Sequence, residues 1–310
     1  MRTAARLPRF RRESEAVRPI ELTQRDKEII RHVARFRFLR STHVLRLVEG
    51  APSQILRRLQ ALYHHGWLDR PQCQIDFFHR GGGSKPMAYG LGSRGAAFMR
   101  REHNVPFERM QWSGKKSRIG RLFLDHALMI AEILITVELA CRSTSEAVRF
   151  VPLADLEREL TASKRERCTP FHWSVTVGGR KIGLIPDGVF ALEFQDVPAG
   201  QNRLVCFLEA DRGTMPITRS NPNLSCFARK LNAYSALWKR GAFENALGSR
   251  RIAVYAVTTS AERARNIADA TKKLPCGRGL FACHTMEEIT RSPEMILRKA
   301  ASRDKSDAIC

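Results

Sequence analysis

A chain of 310 residues with Lys+Arg 53 against Asp+Glu 31 carries a formal charge of +22. That length accommodates two packed domains without disulfide staples, and the surplus of cations favours polyanionic partners, nucleic acid first, over an inert basic surface. The eight cysteines (Cys73, Cys141, Cys168, Cys206, Cys226, Cys276, Cys283 and Cys310) form no CxxC pair and have no matching His spacing. They read as reduced thiols with no structural zinc.

Met1 to Arg18 is dense in arginine and lacks the apolar run of a secretory signal. No segment offers the ~20 apolar residues that span a bilayer. The expectation is a cytoplasmic protein with no membrane partner, whose residues 1–20 form a basic arm. Such an arm can follow phosphates or enter a minor groove, and it can equally be a solubilising tail.

The first folded unit is predicted over residues 21–103. Thr23 with Asp26 three residues on has the pattern of a capping box ahead of Ile29, Ile30 and Val33, so a helix begins there. Ser41 and Thr42 offer caps for a short second helix carrying Val44, Leu45 and Val48, which Gly50 and Pro52 stop. In the third helix Ile55, Leu56, Leu59, Leu62 and Tyr63 recur at helical spacing and should face the first two. That leaves Gln54, Arg57, Arg58 and Ala61 outward.

After Gly66, a natural helix terminator, Trp67 to Ile75 and Met87 to Leu91 flank a glycine-rich stretch containing Arg80, Gly81 to Gly83 and Lys85. This is the pattern of a hairpin with a basic tip. Three helices followed by such a ribbon is the order of a winged helix-turn-helix, in which the third helix enters the major groove and the wing lies along the backbone. Ser53, Gln54, Arg57, Arg58, Arg80 and Lys85 are then the candidate contacts to double-stranded DNA. A plain helical bundle with solvated arginines is the competing reading.

A further helix is expected at Ser93 to His103, a linker at 104–120, and an apolar helix at Leu122 to Cys141 that opens a second domain (121–290). Strands follow at Phe171 to Val177, Gly183 to Leu192 and Leu204 to Ala210, then a helix near Cys226 to Lys239, a strand at Arg251 to Thr258 and a helix at Ala261 to Lys273. The whole is expected to be α+β, with a mixed α/β sheet in the second domain and a loosely ordered charged tail at 291–310.

The sharpest chemical pattern is Pro186-Asp187-Gly188 followed by Glu209-Ala210-Asp211 at the end of the next strand. Residues two apart on a strand share a face. Asp187 and Glu209 are equidistant from Pro198, so an antiparallel hairpin turning there sets them opposite each other. Three carboxylates this close call for a shared proton, a basic neighbour or a hard cation. Asp187, Glu209 and Asp211 are therefore candidate ligands for Mg²⁺ or Mn²⁺, which can activate water in phosphodiester cleavage. Pairing with Arg212, Lys230 or backbone donors is the structural alternative. No GxxxxGK(S/T) sequence is present, so no nucleotide cofactor is expected.

The run ELTQRDKEII, the segment RRLQALYHHGWLDR, the stretch YGLGSRGAAFM, His126 in LDHALMIAE, the IPDG and LEADRGT motifs and the later Lys230-Leu231-Asn232-Ala233-Tyr234 occur in this order. Together they resemble the replication-relaxation family of bacterial plasmids and other mobile elements, from Glu21 to about Trp238. The resemblance implies a role in replication, DNA relaxation or mobilisation, with a relaxase or similar protein as a candidate partner.

The second domain is also similar to the PD-(D/E)xK nuclease-like, or restriction-endonuclease-like, fold, with Asp187 and Glu209 in the places of the acidic pair. It departs at the lysine, because Asp211 stands two residues after the acid. Lys230, on the following helix, is the candidate replacement. His126 matches the family pattern and is a weaker catalytic candidate, since a lone histidine on an apolar helix is more often structural. His64 and His65 read as helix-end caps or phosphate contacts. Two functions remain open: a metal-dependent endonuclease or nickase delivered by a winged helix, and a DNA-binding regulator or assembly factor whose nuclease-like domain is inactive and mediates a homodimer or partner contact.

Overall fold

The computed structural model describes residues 8–15, 19–75, 85–103, 119–143, 147–159, 171–198, 201–220, 226–249 and 251–297. The chain divides into two compact units, Met1–Glu132 and Ile133–Cys310. The division falls within the helix Arg121–Ser143 and not at 104–120, of which residues 104–118 lie outside those described.

In the first unit the order is α1 (Gln24–Phe36), β1 (Phe38–Arg40), α2 (Ser41–Leu47), α3 (Pro52–His64), β2 (Leu68–Asp69), β3 (Ala88–Leu91) and α4 (Ser93–His103). The reciprocal cap of α1 is present: the Thr23 N–H donates to Asp26 Oδ2 at 2.8 Å and the Asp26 N–H to Thr23 Oγ1 at 3.2 Å. Ile29, Ile30 and Val33 are then carried fully inside. At α2 the expected caps are not used. Ser41 already belongs to the helix, and the Arg40 N–H at the cap position donates to His43 Nδ1 at 3.2 Å.

Pro52 starts α3, where a missing N–H costs nothing. Its end closes through two backbone bonds, Gly66 N–H to Tyr63 O at 3.0 Å and Trp67 N–H to Leu62 O at 2.9 Å. These need the positive φ of 76° that Gly66 supplies. Leu56, expected to face inward, is instead 43% exposed. Ile55 and Leu59 hold the core side, and a residue one position on from Ile55 is turned ~100° away.

The ribbon is shorter than expected. β1, unforeseen, pairs with β3, giving an antiparallel sheet in the order β1-β3-β2. The stretch Trp67 to Ile75 yields only β2 and a 3₁₀ turn at Gln72–Gln74. Gln74 replaces the missing strand neighbour with its side-chain amide, donating to Ala88 O at 3.0 Å and accepting from the Ala88 N–H at 2.7 Å. Residues 76–84, with Arg80 and the glycine tip, lie outside the described residues.

The YGLGSRG stretch also acquires a steric reason. A Cβ on Gly92 would lie 2.1 Å from Gly66 O, and one on Gly95 would lie 2.3 Å from Trp67 O. Neither is tolerable, so α4 can start this close to the end of α3 only with glycine at both positions.

Of the expected basic arm, residues 8–15 are docked against α3 and β2. Arg12 donates to Tyr63 O at 3.1 Å, to Leu68 O at 3.2 Å and to Asp69 at 2.9 Å. Buried Arg70 lies against the Tyr63 ring, 4.1 Å from its centroid, and donates to Arg9 O at 2.7 Å.

The helix α5 (Arg121–Ser143) contributes Leu124, Ala127 and Leu128 to a cluster with Phe38 and Ala88 in the first unit. The second unit continues with β4 (Val148–Pro152), α6 (Leu153–Glu159), β5 (Trp173–Val177), β6 (Arg180–Leu184), β7 (Gly188–Phe194), β8 (Arg203–Asp211), α7 (Phe227–Lys239), α8 (Ala242–Leu247), β9 (Ile252–Thr258), α9 (Ala261–Lys272), β10 (Phe281–Thr285) and α10 (Met286–Arg291). The fold class is α+β, as expected.

Five strands form one mixed sheet in the order β10-β9-β8-β7-β4, with β8, β9 and β10 parallel and β7 antiparallel to both of its neighbours. The central strands read LVCFL and IAVYAV, continuous apolar runs suited to a sheet covered on both faces. On one face Val205, Phe207, Val254 and Ala256 cluster with Leu231 and Tyr234 of α7 and Ile267 of α9. The β5–β6 hairpin closes the same core, its Trp173 ring 5.4 Å from Phe207 and 5.1 Å from Phe243.

Three expectations change here. The single strand Gly183 to Leu192 is two, β6 and β7, because Pro186 lacks the N–H a ladder needs and Asp187 bends the chain. The edge strands β4 and β10 and the short helices α6, α8 and α10 were not foreseen. The tail is not loose up to Leu297: Ile296 and Leu297 are buried and Ile296 O accepts from the Tyr255 hydroxyl at 3.2 Å. Among the described residues no helix is long and apolar enough to cross a membrane.

Candidate functional site

The β7–β8 ladder runs from Glu193↔Arg203 to Gly188↔Leu208, so its next step sets Asp187 opposite Glu209, in the register expected from the equidistance about Pro198. Asp187 stands just outside the ladder, and its Oδ2 accepts the Ala210 N–H at 2.9 Å. Lys230 reaches over from the first turns of α7. Its Nζ lies 2.5 Å from Glu209 Oε2 and 3.7 Å from Asp187 Oδ1. One turn further, the Tyr234 hydroxyl donates to Glu209 Oε1 at 2.8 Å. Four residues apart on a helix, Lys230 and Tyr234 necessarily point to one place.

The electrostatics of this group are set by burial. Glu209 is 1% exposed, and loss of solvent pushes its carboxyl up to about 8, assisted by the like charge of Asp187 and opposed by Lys230. Burial also acts to lower Lys230, but the two carboxylates outweigh it and raise the ammonium above its ordinary value. Tyr234 is pushed well above the usual phenol by burial and by Glu209. Glu209 is therefore a weakened acid beside a lysine that stays cationic. Access to solvent is through Asp187 and Lys230, whose side chains are 18% and 30% exposed.

Asp211 takes a different role from the one its spacing implied. It lies on the Glu209 face of β8, but both its oxygens are held elsewhere: Arg263 of α9 contacts it through Nε and through Nη2 at 2.9 Å, and the Thr258 hydroxyl donates to it at 3.1 Å. Among the described residues no group of three or more His, Cys, Asp or Glu side chains is placed to hold a metal ion. A hard cation at this site would have Asp187 and Glu209 as its protein ligands and would need water or phosphate oxygens for the rest. It would also require Glu209 to be ionised.

In the first unit the candidate contacts divide. Ser53, Gln54 and Arg57 lie exposed on α3, joined by Leu56, and Lys85 is exposed before β3. Arg58 turns inward: its Nε donates to Asp26 Oδ1 at 2.9 Å, its Nη2 contacts Asp26 Oδ2 and donates to Glu21 O at 3.0 Å. His64 is buried, accepting the Glu13 N–H at 3.0 Å, and His126 is half-buried on the part of α5 that belongs to this unit.

Reading from sequence missed the role of Tyr234, named only as the end of the Lys230-to-Tyr234 run, and Arg263, for which no local signal exists. It also missed His43 and Arg46, which hold Glu132 of α5. His43 Nε2 lies 2.8 Å from that carboxylate, and the two partners, His43 first, pull it down to about 2 against the effect of burial.

A mixed sheet with an acidic pair at the mouth of two antiparallel strands, preceded by a mainly helical unit with a small sheet, defines a two-unit α+β protein. The model of the replication-relaxation family matches residues 30–250, and the chain belongs to that family. Membership points to a role in the replication or relaxation of plasmids or other mobile elements. No curated protein and no solved structure matches the chain.

Proposed function

We propose that this is a DNA-binding protein of a plasmid or other mobile element, acting in its replication, relaxation or mobilisation, whose second unit is a PD-(D/E)xK-type centre for metal-dependent strand cleavage. The observation that carries the reading is the position of Lys230. It supplies, from α7, the cation absent from the strand, beside the paired carboxylates of Asp187 and Glu209. The first unit serves as a winged helix-turn-helix whose α3 presents Ser53, Gln54 and Arg57 to the major groove. Asp187 and Glu209 would hold a metal ion, which would supply polarisation of the phosphate and activation of water. Double-stranded DNA is the substrate, a relaxase a candidate partner and the cytoplasm the compartment.

The test is nicking of supercoiled plasmid in Mg²⁺ or Mn²⁺. Cleavage should disappear in Asp187→Ala and Glu209→Ala and fall sharply in Lys230→Ala; no cleavage by the unmodified protein under either ion would remove the catalytic reading. In the same preparation, Arg57→Ala should weaken specific binding by roughly 1–3 kcal/mol if it reads a base edge.

A second reading has its own support. Both Glu209 oxygens and one Asp187 oxygen already have donors inside the protein, which is how a structural brace looks. On that reading the unit is an inactive scaffold for dimerisation or partner contact. Salt-sensitive binding without scission is its signature.

A further inference from the structure

We propose that the β5–β6 hairpin and α7 form a second DNA-contacting surface, a phosphate track that leads the backbone to Asp187 and Glu209. The inference extends the cleavage reading by saying where the substrate lies in the second unit. Its basis is a segregation of charge. Residues 171–186 and 212–243 contain no Asp or Glu, while they carry Arg180, Lys181, Arg212, Arg219, Arg229, Lys230, Lys239 and Arg240. Elsewhere in the unit, acids and bases alternate: β4, α6 and α9 carry or pair with Glu193, Asp155, Glu159 and Asp269.

The fold brings the two acid-free stretches together. Trp173, Val175, Ile182 and Leu184 of the hairpin pack into the same core as Leu231, Tyr234 and Leu237 of α7, and Arg240 donates to Thr176 O at 3.5 Å. The other face of the ribbon shows Ser174, Thr176, Lys181 and Gly183 to solvent, small and polar apart from the lysine. Arg180, Lys181, Lys239 and Arg240 are all exposed. Gly178 and Gly179, both at positive φ, make a tip where an added Cβ would meet nothing within 4 Å, so a backbone can approach closely.

The ribbon leads into the site through the bend at Asp187. Lys181 and Asp187 are six residues apart, at most ~21 Å of extended chain, which matches the rise of about six base pairs of duplex. A phosphate seated at Asp187 and Glu209 therefore has neighbours within reach of Lys181. Exposed cations over a low-dielectric wall, Arg180, Lys181, Lys239 and Arg240, concentrate the field that draws a polyanion in.

The experiment measures the dissociation constant of the full chain for a ~40-base-pair duplex against KCl concentration, without divalent ions, so that it is independent of cleavage. The variant R180A/K181A is compared with R265A/K273A, which removes the same charge from exposed positions of α9 and its end. The track predicts that the slope of log K against log salt becomes shallower by about 1.8 in the first variant, ~0.9 for each lost phosphate contact. The second variant should change it by less than about 0.5. Equal slopes for R180A/K181A and the unmodified protein, or equal changes in both variants, overturn the track. Loss of nicking in Asp187→Ala with the track slope intact leaves both readings standing, whereas a normal track slope in a protein that never nicks removes only the cleavage reading.

Discussion

Asp26 in the first unit and Glu209 in the second are both buried carboxylates with a cation drawn against them, at 0% and 1% exposure, and yet their acidities move in opposite directions. Burial acts to raise Asp26, but the Arg58 guanidinium and the Thr23 hydroxyl and N–H all donate to it, and together they hold it below the ordinary aspartate range. Glu209 has one ammonium and one phenol, and the carboxylate of Asp187 works against it, so its proton binds up to about 8. Desolvation is common to both. The supply of donors, set against the like charge nearby, decides which carboxyl is lowered and which is raised.

The largest effect that would break this contrast is in the first unit. Arg58→Ala should cost about 3 kcal/mol in urea unfolding, because it strands a buried carboxylate. A loss of DNA binding at unchanged stability would instead make Arg58 a DNA contact and Asp26 a bystander.

The next effect is the pH dependence of stability, where the two acids have opposite signs. The folded pKa of Glu209 lies above its ordinary 4.5, so its contribution is complete below that value and is lost as pH rises through about 8. Asp26 is depressed below 3.8, so its contribution is present above that pH and is lost as pH falls through the folded value. Glu209→Gln should flatten the decline between pH 4.5 and about 8, and leave the acid limb alone. Asp26→Asn should do the reverse. Chemical denaturation at a series of pH values separates them, and a Glu209→Gln curve parallel to that of the unmodified protein would show that its carboxyl is not raised.

The smallest expected effect sharpens what lies outside both braces. Leu56→Ala should change stability by less than ~0.5 kcal/mol, since the side chain stands 43% exposed on α3. A weakened DNA complex in the same variant would place that leucine in the interface.

Local rules carried the first unit far. Thr23 with Asp26 and Gly66 each specify a helix end by hydrogen bonding or backbone geometry within a few residues, and both act as read; Pro52, expected to stop the second helix, starts α3. Leu56 and Arg58 were misassigned because helical spacing gives a face about 100° wide and cannot say which edge residue finds a partner; Arg58 finds Asp26, 32 positions earlier.

In the second unit, antiparallel pairing about a turn is itself a local relation, so Asp187 could be set against Glu209 from spacing alone. The partner of Asp211 could not. Arg263 comes from beyond β9, through a parallel crossover whose geometry no window of sequence contains. Edge strands β4 and β10 escaped for a related reason, since VRFVP and FACHT look like strands only once a sheet is there to receive them.

The docking of residues 8–15 changes what it means to shorten this protein. Removing them would not trim a loose end. It would withdraw the carbonyl of Arg9 from Arg70 and the amide of Glu13 from His64, and leave the Tyr63 ring open to water where Arg12 now lies 5.3 Å from its centre. Those groups sit at the base of α3, so a preparation lacking its first fifteen residues would test a different α3, and weak DNA binding by it would say nothing about the exposed face of the helix.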